Sequence, residues 1–431
     1  MPAAAIAPRE FTLANGLRTV IVEVPHLHTV SLVMYARVGS RYESAKTNGL
    51  SHFVEHMLFR GTAAHPDSLV LHRAIEDFGG TLYAETGRDY SLYQIAVHPE
   101  SLERALAVLA EIFGAPAFPD IDRERQIVVE EILEDQDEDG REINVDDVAR
   151  STAWPGHPLG FKITGPLRNV RRFTAGDVRR HFARYYGAAN MILCLSGAVR
   201  ARGVLPTVRR LFARLRPGKG ACPVPAPAGQ RSPRFAYVEN RGSQSNLQIL
   251  FRALPEQHPD FTALAALGRI LDDGMSTRLH YRICDQLGLA YYCAGTVEPL
   301  HDTALFEVDA ASSHAKLPAL VREVLAILAG LRAEPPALDE LDKARRRYRW
   351  DLEAACDDPD ALAGWFAGTR LFYEPEGLER KVARMAAVTP ADVQRVARTV
   401  LTPDRLTVAV VGRLPARVRN QVEETVRTFG R

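Results

Sequence analysis

Two histidines and a glutamate at helical spacing are the residues of this chain best suited to chemistry. His52 and His56 are four residues apart, so on a helix both imidazoles lie on one face. A zinc ion bound by two imidazole nitrogens at about 2.1 Å needs this spacing. Glu55 lies close to the same face and can reach a metal-bound water without being a ligand. The order H-x-x-E-H is the inverzincin motif, the reverse of H-E-x-x-H.

The residues around the motif predict that its helix is buried. A chance occurrence of the motif has a frequency on the order of a few per cent at this histidine content. Burying two imidazoles and a carboxylate without partners would be costly, and a bound metal removes that cost. The sequence therefore predicts a metal site on a helix whose other residues are apolar: Leu50, Phe53, Val54, Met57 and Leu58.

A catalytic zinc ion takes three protein ligands and keeps one position open. A helix is predicted over 120–138, and its segment 122–134 has a broad apolar face and several carboxylates. Within it, Glu124 and Glu131 are seven residues apart and therefore lie on the same side of the helix. The spacing alone leaves Glu130, Glu131 and Glu134 open as the third ligand.

The motif with its flanks, from Gly49 to Thr62, resembles the M16 metallopeptidases, which include pitrilysin, insulin-degrading enzyme and mitochondrial processing peptidase. In that family a downstream helix reads E-R-x-x-V-x-x-E, and the stretch from Glu124 to Glu131 matches it position by position. The resemblance implies that Glu131 is the third ligand of one Zn²⁺ per chain and that Glu124 supports a ligand histidine from behind. It covers essentially the whole chain and implies half of a peptidase clamshell.

The activity implied by this resemblance is zinc-dependent hydrolysis of short or unfolded peptides inside a dimeric chamber. Glu55 would act as the general base that takes a proton from the attacking water. The stretch 78–86 resembles the family's G-G-x-x-N-A-x-T strand, whose edge pairs with the substrate backbone. This implies substrate binding at Leu82, Tyr83 and Ala84, with Tyr83 standing where the family has Asn. The alternative is an ordinary strand after a turn.

A second departure concerns the substrate-binding Arg/Tyr pair of the family, in which the Arg precedes the Tyr by seven positions. Tyr291 matches the Tyr, but Cys284 occupies the Arg position and Arg282 is two residues away. In paired members this element reaches the zinc from the other half of the clamshell. We therefore expect a heterodimer, in which a related M16-like subunit supplies the Arg and Tyr. The peptidase hypothesis includes a specialised processing peptidase, which would use the same chemistry on a narrower range of substrates.

The competing hypothesis is a non-catalytic scaffold subunit derived from the same peptidases. Such relatives usually lack one or more motif residues. This chain retains His52, Glu55, His56, Glu124 and Glu131, which favours the peptidase.

The elements that must position these residues are predicted to form two domains. A chain of 431 residues is too long for one ordinary core. A Pro/Gly-rich linker at 217–230 separates a zinc-binding domain at 1–216 from a related domain at 231–431, which is assigned a dimer and chamber role. Both halves end in a predicted strand that runs into Gly, Met191–Gly197 in the first and Leu406–Gly412 in the second, which indicates an ancient duplication. The predicted fold is α+β, each domain a mostly antiparallel sheet with helices packed on one face.

Composition excludes several other classes of protein. The net charge of +1 gives no support for nucleic-acid binding. Five scattered cysteines without a C-x-x-C pair predict neither a disulfide framework nor a thiolate zinc site. The first ten residues lack the pattern of a secretory signal, and no apolar run approaches the ~20 residues that span a bilayer. We expect a cytoplasmic protein without membrane or nucleic-acid partners.

Overall fold

The structure is a computed structural model that describes residues 6–227 and 229–430. Residues 1–5, on which the prediction of no secretory signal partly rests, and Ala228 in the predicted linker lie outside the described residues. The chain divides into two compact units, each discontinuous in sequence. The first comprises the chain up to Ile132, Phe161–Val224 and Asp351–Leu378; the second comprises Leu133–Gly160, Pro225–Trp350 and the chain from Glu379 onward.

Eleven strands are found in the described residues, six in the first unit and five in the second. The first sheet contains β1 (Arg9–Thr12), β2 (Arg18–Glu23), β3 (Val30–Ala36), β4 (Thr81–Thr86), β5 (Ser91–Val97) and β6 (Met191–Gly197). The second contains β7 (Arg234–Glu239), β8 (Ser245–Ala253), β9 (Cys293–Pro299), β10 (Ala304–Ser312) and β11 (Leu406–Gly412).

The α-helices are numbered in chain order through both units. Those before the predicted linker are α1 (Leu50–Leu58), α2 (Ser68–Glu76), α3 (Leu102–Gly114), α4 (Ile121–Glu134), α5 (Val145–Ala153), α6 (Leu167–Val170), α7 (Ala175–Tyr185) and α8 (Ala201–Phe212). Those after it are α9 (Phe261–Leu271), α10 (Leu317–Ala333), α11 (Leu338–Ala355), α12 (Pro359–Ala363), α13 (Leu378–Ala387), α14 (Pro390–Val400) and α15 (Ala416–Arg427).

The first sheet has the strand order β1-β2-β6-β3-β5-β4. The β2–β6 pair is parallel and the other pairs are antiparallel. Side chains alternate across the sheet, so Leu32 and Met34 of β3 join the main helix-covered core, whereas Val33 and Tyr35 face the opposite side. The prediction of an α+β fold, a mostly antiparallel sheet with its main layer of helices on one face, is confirmed for this unit.

A late segment of the chain covers part of the opposite face of the first sheet. Helix α12 and the turns that follow it bury Leu362, Phe366 and Leu371 against Val33 and Tyr35. Gly368 lies against the ring of Tyr35, where a Cβ atom would come within 3.3 Å of the ring. This small second core is therefore made by residues more than 300 positions apart in sequence.

The second sheet has the order β7-β11-β8-β10-β9, with only the β7–β11 pair parallel among its described strands. Helices such as α9, α10 and α14 pack on one face, and α5 packs on the other. Arg150 of α5 is buried there and forms ion pairs of 2.7 Å with Asp146, Glu298 and Glu307. The same α+β architecture thus occurs in both units.

The element pattern predicted from sequence is confirmed in most places, including β6 and β11 at their predicted bounds. The predicted helix over 120–138 is wrong at its end, because α4 stops at Glu134. The carboxylate of Asp137 accepts hydrogen bonds from the backbone N–H groups of Asp139 and Arg141, which makes a turn instead. Within residues 6–227 and 229–430, no helix combines the length and apolar character that spanning a bilayer requires.

Removing a buried aromatic ring from the segment that follows α12 should destabilise the first unit. Phe366→Ala removes a buried ring from the second core, and we expect the free energy of unfolding to fall by about 3–5 kcal/mol. Trp350→Ala is the control, because this ring is exposed and its loss should change stability by about 0.5 kcal/mol or less. Urea unfolding followed by circular dichroism measures both values. Equal stability of the two variants would contradict this packing.

Candidate metal centre

Helix α1, which carries the histidine motif, is fixed at its N-terminus by a buried carboxylate. Glu43 accepts hydrogen bonds from the backbone N–H groups of Gly49 and Ser51, at 2.8 and 2.6 Å, and from the Asn48 amide at 3.0 Å. Gly49 has φ 100°, and a Cβ atom there would lie 2.6 Å from the Thr164 carbonyl oxygen. A negative charge at a helix N-terminus is favourable, so this contact fixes where α1 begins.

His52, His56 and Glu131 converge in the structure. The Nε2 atom of His52 lies 3.3 Å from one carboxylate oxygen of Glu131, and the Nε2 atom of His56 lies 3.5 Å from the other. Ligand atoms around a tetrahedral zinc ion with bonds of about 2.0–2.1 Å are separated by about 3.3–3.4 Å. The three residues could therefore hold a zinc ion, because each offers one ligand atom and these atoms, two nitrogens and one carboxylate oxygen, lie within 4.8 Å of one another.

Glu124 lies behind His56 on the side away from Glu131. The Nδ1–H group of His56 donates to Glu124 at 2.7 Å, which leaves Nε2 directed at Glu131. The guanidinium of Arg60 binds the other oxygen of Glu124. Burial alone would raise the pKa of Glu124, but the hydrogen bonds from His56 and Arg60 outweigh it and lower the pKa. Glu124 is therefore held as a carboxylate.

The same contacts change the protonation of the ligands. Burial alone would lower the pKa of His56, but hydrogen bonds to Glu124 and Glu131 outweigh burial and raise the pKa to about 9. Burial likewise would raise the pKa of Glu131, whereas the two imidazoles hold it well below its usual range. Without a metal, a proton on His56 thus occupies the place that a cation would take.

Glu55 lies on α1 between the two histidines in sequence but outside the three-residue cluster. Its carboxylate accepts a hydrogen bond of 2.5 Å from the hydroxyl of Thr86 on β4. The side chain is partly exposed. The carboxyl group of Glu55 is thus held on the motif helix by a contact from a neighbouring strand.

The strand predicted to contact substrate is β4, which is confirmed as a strand and is the last of its sheet in the described chain. Leu82 and Ala84 pack against the helix-covered core. Tyr83 points to the other face, is 53% exposed, and donates a hydrogen bond to Glu85. The edge of β4 is thus placed for strand pairing, and substrate binding by Leu82, Tyr83 and Ala84 stays a prediction.

The predicted Arg/Tyr element lies in the second unit. Tyr291 is 93% exposed just before β9. Cys284 lies in a π-helical stretch, His280–Gln286, and packs partly against the core, as expected for a small apolar side chain. Arg282 forms an ion pair of 3.1 Å with Glu323 of α10. The guanidinium of Arg282 therefore binds α10 and does not take the place of the missing Arg at position 284.

Two residues of the site were missed from the sequence. Arg60 lies two residues beyond the end of α1, so helical spacing does not indicate that its guanidinium reaches Glu124. Thr86 was noticed as part of a strand motif, but no local pattern indicates that its hydroxyl reaches Glu55. That contact depends on how β4 packs against α1.

Two protein-family models match this chain. Residues 18–167 match the family model described as insulinase (peptidase family M16). Residues 172–348 match the model described as the peptidase M16 inactive domain. Together the two matches span most of the chain, with the metal cluster inside the first.

Full-length relatives match as well. A protein named an uncharacterized zinc protease from Streptomyces coelicolor is 28% identical, covering 97% of this chain and 92% of the relative. A probable mitochondrial-processing peptidase subunit beta from Schizosaccharomyces pombe is 28% identical, covering 93% and 90%. The crystal structure of a protease from Helicobacter pylori is similar in fold, with a TM-score of 0.87 at 23% identity, covering 95% of this chain and 100% of that one.

Metal binding should release a proton from His56. A metal needs the neutral imidazole, and the metal-free pKa of about 9 means that the ring is protonated at pH 7. We expect the apparent zinc affinity to rise about tenfold per pH unit below pH 9 and to level off above it. Calorimetry in buffers of different ionisation enthalpy counts the protons released. Zn²⁺ binding at pH 7 without any proton release would contradict the prediction that His56 is protonated in the metal-free protein.

Proposed function

Since the chain belongs to peptidase family M16, we propose that it is a zinc endopeptidase with His52, His56 and Glu131 as ligands of one Zn²⁺. The observation that carries the proposal is the convergence of these three side chains, whose ligand atoms lie within 4.8 Å of one another and so are close enough for one ion to bind all three. Two protein nitrogens and one carboxylate leave a fourth position for water or substrate.

Zinc, when bound, polarises the scissile carbonyl and lowers the pKa of water towards about 7. Glu55 then takes a proton from the attacking water and delivers it to the leaving amine. Glu124, held between His56 and Arg60, keeps His56 in the tautomer with Nε2 free. Each titratable residue around the cluster thus has a separate task.

The substrate is a peptide in an extended conformation. The edge of β4 at Leu82, Tyr83 and Ala84 would pair with its backbone, which gives affinity without strict sequence preference. The exposed ring of Tyr83 would add an aromatic wall beside the peptide. We keep Tyr291 as a predicted substrate-binding residue, because it stands at the position of the family's Tyr.

We further propose a heterodimeric peptidase. Cys284 cannot supply the charge of the Arg that the family places there, and Arg282 is bound to Glu323. A related partner would supply the Arg and Tyr, a division compatible with the subunit named in the yeast relative. We also propose that residues 217–230 join the two related halves of the chain. We propose the cytoplasm as the location of the protein.

A second candidate is a non-catalytic scaffold subunit. It is favoured by one observation, the match of residues 172–348 to an M16 domain described as inactive. The first unit argues against it, because the complete ligand cluster and Glu55 lie there.

Glu55→Gln should abolish peptide hydrolysis while zinc content stays at the wild-type level. The amide keeps the shape of the side chain but cannot accept the proton from water, so we expect kcat to fall about 100-fold or more. Hydrolysis of a quenched fluorescent peptide and metal analysis of the same samples measure the two quantities. A variant that cleaves at the wild-type rate would refute the role of Glu55.

The heterodimer proposal predicts that the chain purified alone is much less active than the assembly isolated from its source. Mass spectrometry of that assembly should show a second M16-like chain carrying the Arg and Tyr. Cys284→Ala is the matched variant, because it changes only the position in question. Full activity of Cys284→Ala in the absence of any partner would rule out the need for a second subunit.

A further inference from the structure

Behind the proposed base lies a row of buried hydroxyl groups. Thr86 Oγ1 donates to Glu55 at 2.5 Å, and Ser91 Oγ lies 3.3 Å from Thr86 Oγ1. Thr86 and Ser91 are directly opposite on β4 and β5, the cross-strand arrangement in which two hydroxyls can bond. Both side chains are buried. Ser91 Oγ also lies 3.2 Å from the carbonyl oxygen of Val38, so its one proton is shared between that backbone acceptor and Thr86, and both contacts fix the position of this pair of hydroxyls.

The row continues into the core of the first unit. The side chain of Ser91 interacts with Tyr186, whose hydroxyl lies 2.6 Å from that of Tyr93. Both tyrosines are buried, and their rings pack against Phe113. Burial raises the pKa of both tyrosines, so they stay neutral. The far end of the row is thus anchored by rigid aromatic packing.

A glutamate side chain has several rotatable bonds and loses conformational entropy when it is fixed. The base must hold one orientation to take a proton efficiently from a positioned water. A threonine in a strand is stiff at χ1, so its hydroxyl is a fixed donor. By binding one carboxylate oxygen of Glu55, it leaves the other oxygen for water.

We propose that Thr86 is a positioning residue that, supported by Ser91, fixes the carboxylate of Glu55 in its proton-accepting orientation. The inference rests on the proposed role of Glu55 as the base. It adds a residue that contacts neither zinc nor substrate through its hydroxyl.

The test uses the zinc-loaded full chain, with its partner if one is required. For Thr86→Val, which keeps the shape and removes the hydroxyl, we expect kcat to fall about 10- to 100-fold with KM and zinc content unchanged. Thr86→Ser should restore most of kcat. The control is Thr19→Val in β2, a buried threonine whose hydroxyl has no hydrogen-bond partner among the described residues. It should keep the wild-type kcat.

Crystal structures of the wild type and of Thr86→Val give a readout that does not depend on activity. We expect the Glu55 carboxylate to be displaced or to occupy several conformers in the variant. An unmoved carboxylate, or an unchanged kcat, would overturn the proposal. If Thr86→Val fails to fold, Ser91→Ala decides by the same two measurements. A zinc-loaded wild type that cleaves no peptide would refute the proposed function instead, and the Glu55 position would still decide the role of Thr86.

Discussion

The carboxylate of Glu131 between two imidazoles is the contact on which the rest of the site depends. Helix α1 is buried by its apolar residues, yet it carries two ring systems that need polar partners. The partners come from α4, which must lie across α1 so that Glu124 and Glu131 both reach His56. The buried carboxylate of Glu43 fixes where α1 starts and so determines which turn meets α4. The same two helices, α1 and α4, therefore bury the apolar residues of α1 and bring the three candidate ligands together.

The two units show that this fold does not by itself make a metal site. In the first unit α1 follows β3, and in the second α9 follows β8, each time leading on to an edge strand and its neighbour. Yet α9 is apolar and carries neither histidine nor glutamate, and it buries Leu264 and Leu267 instead. The architecture that both units share supplies a helix at a defined place on a sheet. Whether a metal could bind there depends on whether that helix carries ligand side chains and lies against carboxylates from another helix.

Much of the fold and of the candidate site could be predicted from the sequence, because the patterns that indicate them are local. The His52–His56 spacing and the runs of β6 and β11 are periodic patterns within one element. The choice of Glu131 over Glu130 and Glu134 is not local, since it depends on how α4 crosses a helix about 70 residues earlier, and only the family pattern supplied it. The exchange of segments 133–160 and 351–378 between the units also escaped prediction. Their apolar faces show that they pack, but not on which sheet.

The departures from the family pattern are not spread evenly over the structure. The cluster and its support, where a substitution would leave a buried group unpaired, contain the full set of expected residues. The two changes, Tyr83 and Cys284, are at positions that are exposed or only partly buried. At such positions a substitution costs the fold little, because no buried partner is lost. Under the proposed function, changes there would alter which peptide is held, and which subunit helps to hold it, without disturbing the candidate metal cluster. This is the pattern expected if the chain kept the chemistry of its family while its contacts with substrate and partner diverged.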